Sequence, residues 1–255
     1  MPSTHQRPAA MVHLIVPVKP LTRAKSRLRG ASTDHQALVL AMLLDTLAAA
    51  EATPAVNRIT VVSSDPVVTA ELTGRAVELA EDPGELNAAL RHGARPVARH
   101  GTVAALQADL PALRPADLAT ALAEAGGGRA FCADLAGTGT TLLVAARGED
   151  LAPRFGVGSA AAHRAGGAVA ITAAVPTLRC DVDTPSDLDT AVALGVGRHT
   201  AAVLARATVD RPAASEHAPT GRAYWTMGDC EHRDQPTGRR TGEDHRPGRR
   251  HERRR

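Results

Sequence analysis

From residue 12 to about residue 205, short β-branched apolar runs alternate with longer stretches in which apolar residues recur at helical spacing. VHLIVPV (12–18), closed by a proline, predicts a buried strand. RITVVSS (58–64), residues 76–79, TVAALQA (102–108), RAFCA (129–133), TTLLVAA (140–146), VAIT (169–172) and TLRCDV (177–182) predict the remaining strands. Between them, Asp34 caps a helix reaching about Ala50, with Leu38, Met42, Leu44 and Leu47 at helical spacing. Residues 85–100 read as a helix. PADLATALAEA (115–125) begins with proline at its first helical position and stops at the glycines 126–128. TPSDLDTAVALG (184–195) has Thr184 as its cap, Pro185 first in the helix and Gly195 past its end.

Strands and helices that alternate through short links predict an α/β fold, a mostly parallel sheet covered by helices on both faces. Ligands of such sheets bind beyond the carboxyl ends of the strands, so the strand-to-helix links are where chemistry is expected. From Arg206 the periodicity dissolves into a charged, Pro- and Gly-rich stretch, which predicts disorder. The expected organisation is a flexible N-terminus (1–11), one folded domain (12–205) and a disordered Arg/His-rich tail (206–255).

Composition changes this picture in three ways. Apolar residues make up 44% of the 255, but aromatics only 2%, so aliphatic side chains must fill the core. The net charge of +3 is not a property of the body: from Arg206 on there are 12 Arg, no Lys and 8 acidic residues, leaving the body near −1. A nucleic-acid role would rest on the tail alone and would weaken steeply with salt; it is the reading of a different class and the less favoured one. The three cysteines are widely spaced, without a CxxC pair, which argues against a zinc knuckle or redox pair and for reduced thiols. No run approaches the length of a membrane span and no leader appears, so a cytoplasmic protein is expected.

Five links carry candidate chemistry. VKPLTRAKSRL (18–28) holds Lys19 and Lys25, the only lysines in a chain otherwise committed to Arg. A compact ammonium can follow a phosphate through a reaction where a rigid guanidinium fork cannot; a solvated basic loop is the plainer alternative. QADLPAL (107–113) puts Asp109 where a buried strand meets solvent, suited to a divalent cation or simply to a turn. CDVDTPSDL (180–188) spaces Asp181 and Asp183 two apart, on one face if the segment is a strand; Asp183 alternatively assists the helix cap. LAGTGTTLLVA (135–145) offers Thr140 beside glycines that allow close backbone approach, or a plain turn. PRFGVGSAAAHR (153–164) places Gly156 and Gly158 before Ser159, a helix start suited to an anion or a capped helix with no ligand. The histidines are assigned no role. The absence of a glycine-rich P-loop argues against Walker-type ATP chemistry.

Together with DPGELNAAL (82–90), these links resemble the phosphoenolpyruvate or 2-phospho-L-lactate guanylyltransferases of coenzyme F-420 biosynthesis, within a wider nucleotidyltransferase group that includes molybdenum-cofactor guanylyltransferases. The resemblance spans about 12–205. It implies a Rossmann-like nucleotidyltransferase fold, GTP and phosphoenolpyruvate as substrates, with phospholactate the alternative acid, and Mg²⁺ as cofactor. It also implies roles: Lys19 and Lys25 on phosphates, Thr140, Gly156 and Ser159 on the acid, Asp109, Asp181 and Asp183 on the metal, and Asn87 near the nucleotide. The glycine-rich first loop of the wider group is missing, so the residues that select guanine stay unassigned. Oligomeric state is open, a homo-oligomer included.

Overall fold

The computed structural model describes residues 11–25, 28 and 34–209, without the side chains of His100, Thr208 and Val209. The expected disordered tail lies outside the described residues from 210 onward, as does the expected flexible N-terminus up to residue 10. The chain divides into two units, Met1–Pro212 and Ala213–Arg255, and only the first contains described residues.

Seven strands form one sheet: β1 (Val12–Pro17), β2 (Val56–Val62), β3 (Glu78–Ala80), β4 (Thr102–Leu106), β5 (Ala130–Ala133), β6 (Thr140–Val144) and β7 (Val169–Ala170). Their spatial order is β3-β2-β1-β4-β6-β5-β7. The β1–β2, β1–β4, β2–β3 and β5–β7 pairs are parallel; β6 alone runs antiparallel to both neighbours, β4 and β5. The expectation of a mostly parallel α/β sheet holds, with one reversed strand. The helices are α1 (His35–Glu51), α2 (Pro66–Leu72), α3 (Leu86–Ala94), α4 (Pro115–Ala125), α5 (Ser159–Ala165), α6 (Pro176–Arg179), α7 (Pro185–Leu194) and α8 (Arg198–Val209). No helix among the described residues is long and apolar enough to cross a membrane.

The period of two along each strand divides the core between the sheet's faces. Leu14, Val16, Ala104, Leu106, Leu142 and Val144 belong to one apolar cluster with residues of α1, α4, α6 and α7. Their neighbours Ile15, Val103, Ala105 and Leu143 belong to a second cluster with residues of α3 and α5. The Leu, Ile and Val side chains fully withdrawn from water at these positions contribute roughly 1.5–3 kcal/mol each, which is why the central strands read as continuous apolar runs.

Gly93 sets how closely α3 lies on the sheet: a Cβ there would stand 2.7 Å from Val62 Cγ2 and 2.8 Å from Ile15 Cγ2. Gly93→Ala gains about 1 kcal/mol of helix propensity. Overpacking against two buried β-branched side chains costs roughly 1–3 kcal/mol, so the variant is expected to be net destabilised, read as a lower midpoint in urea at unchanged m-value.

Two local expectations are corrected. TLRCDV is no strand: Pro176 opens the short helix α6, and Thr177 binds the Asp117 carboxylate through its N–H (3.0 Å) and hydroxyl (2.7 Å). The Arg179 guanidinium donates to the carbonyls of Ala133 (3.0 Å) and Ile171 (2.7 Å), so tertiary hydrogen bonds override local β propensity. The final helix, α8, was not read from the sequence and continues past residue 205. Its start is capped by a buried side chain of α1: Asp45 accepts from His199 N–H (3.0 Å) and Thr200 N–H (2.8 Å).

Candidate active site

A cavity of about 460 Å³ opens at the carboxyl edge of the sheet. Parallel β1, β4 and β5 end there, delivering Lys19, Asp109 and Asp134. Because β6 is reversed, its start lies at the same edge, with Leu142 beside Leu106, and so Thr140 also lines the cavity. The links after β1 and β4, with the segment between α6 and α7, supply one half of the site, and the links around β6 and α5 the other.

The first half is a lysine among carboxylates. Lys25 has a left-handed backbone (φ 50°), an uncommon conformation for a side chain other than glycine. Its ammonium donates to Asp109 Oδ2 and, at 2.5 Å, to Asp183 Oδ1. Thr46 of α1 steadies the Asp109 loop: its hydroxyl donates to Met42 O (2.8 Å) within α1 and accepts from Leu110 N–H (3.0 Å). Val182 N–H donates to Asp109 O (3.1 Å), which joins segments 73 positions apart. Asp183 is aimed by the capping box of α7, where Asp187 Oδ2 accepts from the N–H groups of Asp183 (3.1 Å) and Thr184 (2.8 Å).

Charge in this half is tightly coupled. Burial alone would lower the Lys25 pKa, but Asp109 and Asp183 outweigh it and hold the ammonium protonated well above the usual lysine range. Asp181 is pushed up to about 7 by burial and then by the Asp109 charge; Lys25 opposes this and Asp183 adds to it. Asp109 Oδ1 is buried without a hydrogen-bond partner. Among the described residues no three groups form a preformed metal cage. The donor set nonetheless fits Mg²⁺: it is all carboxylate oxygen, one oxygen is orphaned, and Mg²⁺ sites need only one or two carboxylates when substrate phosphates complete the shell.

The second half is rich in hydroxyl and backbone donors and holds one carboxylate, Asp134. Thr140 and Ser159 are both buried, with Ser159 Oγ 3.1 Å from Thr140 Oγ1. Ser159 is not the helix cap expected from the sequence; Gly158, left-handed at φ 72°, fills the cap position, and the Ser159 hydroxyl turns to Thr140 instead. Gly156 (φ 134°) lines the cavity beside Phe155. Asp134 holds the preceding loop by accepting from Thr138 N–H (2.9 Å) and Gly139 N–H (2.8 Å). A Cβ on Gly139 would stand 2.3 Å from that carboxylate, which accounts for the glycine.

Asn87 has both amide atoms on the Phe155 backbone: Oδ1 accepts its N–H (2.7 Å) and Nδ2 donates to its carbonyl (3.0 Å). It is Leu86, next to it, that lines the cavity. Asn87→Ala is expected to lower unfolding free energy by about 1–2 kcal/mol, because two partly buried backbone groups lose their partner; chemical denaturation checks this. Lys19 is exposed, lines the cavity and has no ion pair among the described residues. The structure thus brings Lys19, Lys25, Asp109, Asp181, Asp183, Thr140, Gly156 and Ser159 onto one cavity, with Asn87 behind its wall.

A family profile described as "Guanylyl transferase CofC like" matches residues 12–224. The chain belongs to this family. A phosphoenolpyruvate guanylyltransferase from Geodermatophilus obscurus is 54% identical over 201 residues, covering 75% of this chain and 93% of that protein. Another, from Streptomyces scabiei, is 54% identical over 208 residues, covering 76% and 95%. Among solved structures, a nucleotidyl transferase from Methanothermobacter thermautotroptrophicus aligns with TM-score 0.51 at 18% identity, over 72% of this chain and 97% of that one. A 4-diphosphocytidyl-2C-methyl-D-erythritol synthase aligns with TM-score 0.52 at 16% identity, over 72% and 99%. These two likenesses establish a nucleotidyltransferase fold.

The two halves of the cavity differ in character: one concentrates a lysine and carboxylates, the other the buried Thr140 and Ser159 hydroxyls. Sequence reasoning missed two residues here. His163, buried behind Thr140, carries no local motif that distinguishes it from the other histidines. Asp134 directly follows the strand β5, and its position at a strand's carboxyl end was the available signal.

Proposed function

We propose that this chain transfers GMP from GTP to phosphoenolpyruvate, giving enolpyruvyl-2-diphospho-5'-guanosine and pyrophosphate, in coenzyme F-420 biosynthesis. A phosphate oxygen of the acid forms a bond to the α-phosphorus, and the bond from that phosphorus to the bridging oxygen breaks, with pyrophosphate leaving on that electron pair. The nucleophile is already anionic at neutral pH, so no general base is needed; the task is to hold two polyanions in line despite their repulsion. The observation that carries the reading is the single cavity that faces Lys25 and three carboxylates with the Thr140–Ser159 hydroxyl pair. The names of the half-identical relatives support the choice of acid.

Asp109, Asp181 and Asp183 would hold Mg²⁺, which supplies positive charge to phosphate oxygens when bound. Lys25 neutralises charge developing on the transferred group, and Lys19 attracts the triphosphate from the exposed rim. Thr140, Ser159 and the Gly156 backbone orient the acid. Asn87 acts on the site through the Phe155 backbone it holds. The enzyme works in the cytoplasm, in keeping with its buried free thiols Cys132 and Cys180.

Pyrophosphate release from GTP and Mg²⁺ tests the reading, with phosphoenolpyruvate and 2-phospho-L-lactate supplied separately and CTP and UTP as controls. Turnover with GTP and phosphoenolpyruvate is expected. Faster turnover with phospholactate would reassign the acid, and no release with either acid would overturn the reading.

A further inference from the structure

His163 lies outside the cavity, yet both hydrogen bonds of its ring are with the wall that would hold the acid. Its Nε2 stands 3.0 Å from Arg154 N–H and its Nδ1 2.9 Å from Thr140 Oγ1. A backbone N–H can only donate, so Nε2 accepts and bears no proton. Burial, helped by the charges of Arg129 and Arg154, lowers the ring's pKa to about 4, so the imidazole is neutral at physiological pH. Its single proton therefore sits on Nδ1 and is donated to Thr140. The ring is held there by both phenylalanines of the chain: Phe155 edge-on at 5.0 Å between centroids and Phe131 at 6.2 Å.

Counting protons gives the consequence. Thr140 Oγ1 accepts from His163, and Ser159 Oγ lies 3.1 Å from the same atom. The two hydroxyls own two protons, and one of these lies in the bond between them. Donation from His163 occupies an acceptor lobe of Thr140 from behind, so Thr140 cannot turn its proton backward. One hydroxyl proton is left, free to turn to the cavity that both residues line. Reversing the imidazole would make Nδ1 an acceptor, draw the Thr140 proton away and leave the pair with no donor for an anion.

We propose that His163 is a positioning residue which, by donating from Nδ1 to Thr140, directs one hydroxyl proton of the Thr140–Ser159 pair into the cavity and thereby sets affinity for the phosphorylated acid. The inference rests on the acid-binding role proposed for that pair. It assigns function to a histidine that touches neither substrate.

Two substitutions separate its two hydrogen bonds, because the asparagine amide overlays Nδ1 and the glutamine amide overlays Nε2. His163→Asn keeps a donor toward Thr140 and gives up the Arg154 contact. His163→Gln keeps an acceptor for Arg154 N–H and gives up the donor. With the folded state verified by circular dichroism, KM for phosphoenolpyruvate is expected to stay within about 3-fold of wild type in His163→Asn. It is expected to rise about 10-fold or more in His163→Gln, the scale of one hydrogen bond to a charged group, with KM for GTP and kcat little changed in both. Equal effects of the two variants on KM for the acid would reduce His163 to packing and overturn the proposal. Should either variant fail to fold, ¹⁵N NMR of the wild-type imidazole decides: a protonated Nδ1 with bare Nε2 is expected, and the opposite tautomer overturns the proposal. If the wild type turns over neither acid, the functional reading falls, whereas the tautomer measurement still reports on His163 alone.

Discussion

Lys25→Ala is expected to lower turnover by about 10²-fold or more, because one oriented charge at a developing anion contributes about 3 kcal/mol to the transition state. Three features single out this lysine. Its backbone is held left-handed, its ammonium lies between two carboxylates from different links, and both links are braced from behind, by Thr46 and by Asp187. Lys25→Arg is not expected to restore the rate, since a guanidinium fork prefers to stay bidentate on a carboxylate and cannot follow a moving phosphate. Without metal, Lys25→Ala should also unfold more easily, by roughly 1–3 kcal/mol, a figure below that for a fully buried pair because Asp183 is largely exposed. Mg²⁺ with GTP should recover much of this. Lys19→Ala provides the contrast: an exposed charge with no ion pair among the described residues acts through solvent, so a loss of about 10-fold or less is expected, chiefly in KM for GTP. Steady-state pyrophosphate release measures all three variants, and a wild-type rate for Lys25→Ala would return the loop to a solvated surface.

Much of this arrangement was legible in the sequence because it depends on period and punctuation. The largely aliphatic runs of β1 and β4 must be buried on both faces, and Pro115, Pro185 and Thr184 start helices where the structure starts them. Carboxyl-end placement then brought Lys25 and Asp109 to one edge without coordinates. What stayed hidden depends on contacts between distant segments. Whether residues 177–182 extend or coil is decided by Asp117 and Arg179 rather than by their own propensities. The reversal of β6 is invisible in its sequence TTLLV, although it decides that the start of that strand faces the site. Ser159 looked like a cap because its sequence context is that of one, and only Thr140, 19 positions away, shows what its hydroxyl meets. Nothing near Asp45 announces that it caps a helix more than 150 residues later.

Asp109→Asn and Asp181→Asn are each expected to abolish nucleotidyl transfer, yet to move the metal-free stability in opposite directions. Asp109 is paired with Lys25; its amide would place a donor against the ammonium, so Asp109→Asn should destabilise the protein by about 1–3 kcal/mol. Asp181 has no such ion pair among the described residues. Burial and the neighbouring Asp109 charge raise its carboxyl to about 7, while in the unfolded chain it titrates in the ordinary range near 4. Between those values the folded protein binds more protons than the unfolded one, so the stability Asp181 contributes is fully present below about pH 4 and is lost as pH rises toward about 7. Asp181→Asn removes this slope, and in metal-free buffer at pH 8 the variant should exceed wild type by about 1–3 kcal/mol. With Mg²⁺ and GTP the order reverses, because in the wild type the cation relieves the same repulsion and binding adds its own stabilisation by mass action. Thermal unfolding at pH 5 and pH 8, with and without Mg²⁺ and GTP, reads all of this in one grid. If Asp181→Asn keeps near-normal turnover and the wild-type response to Mg²⁺, the cation is held elsewhere and the raised carboxyl is only a buried acid beside the site.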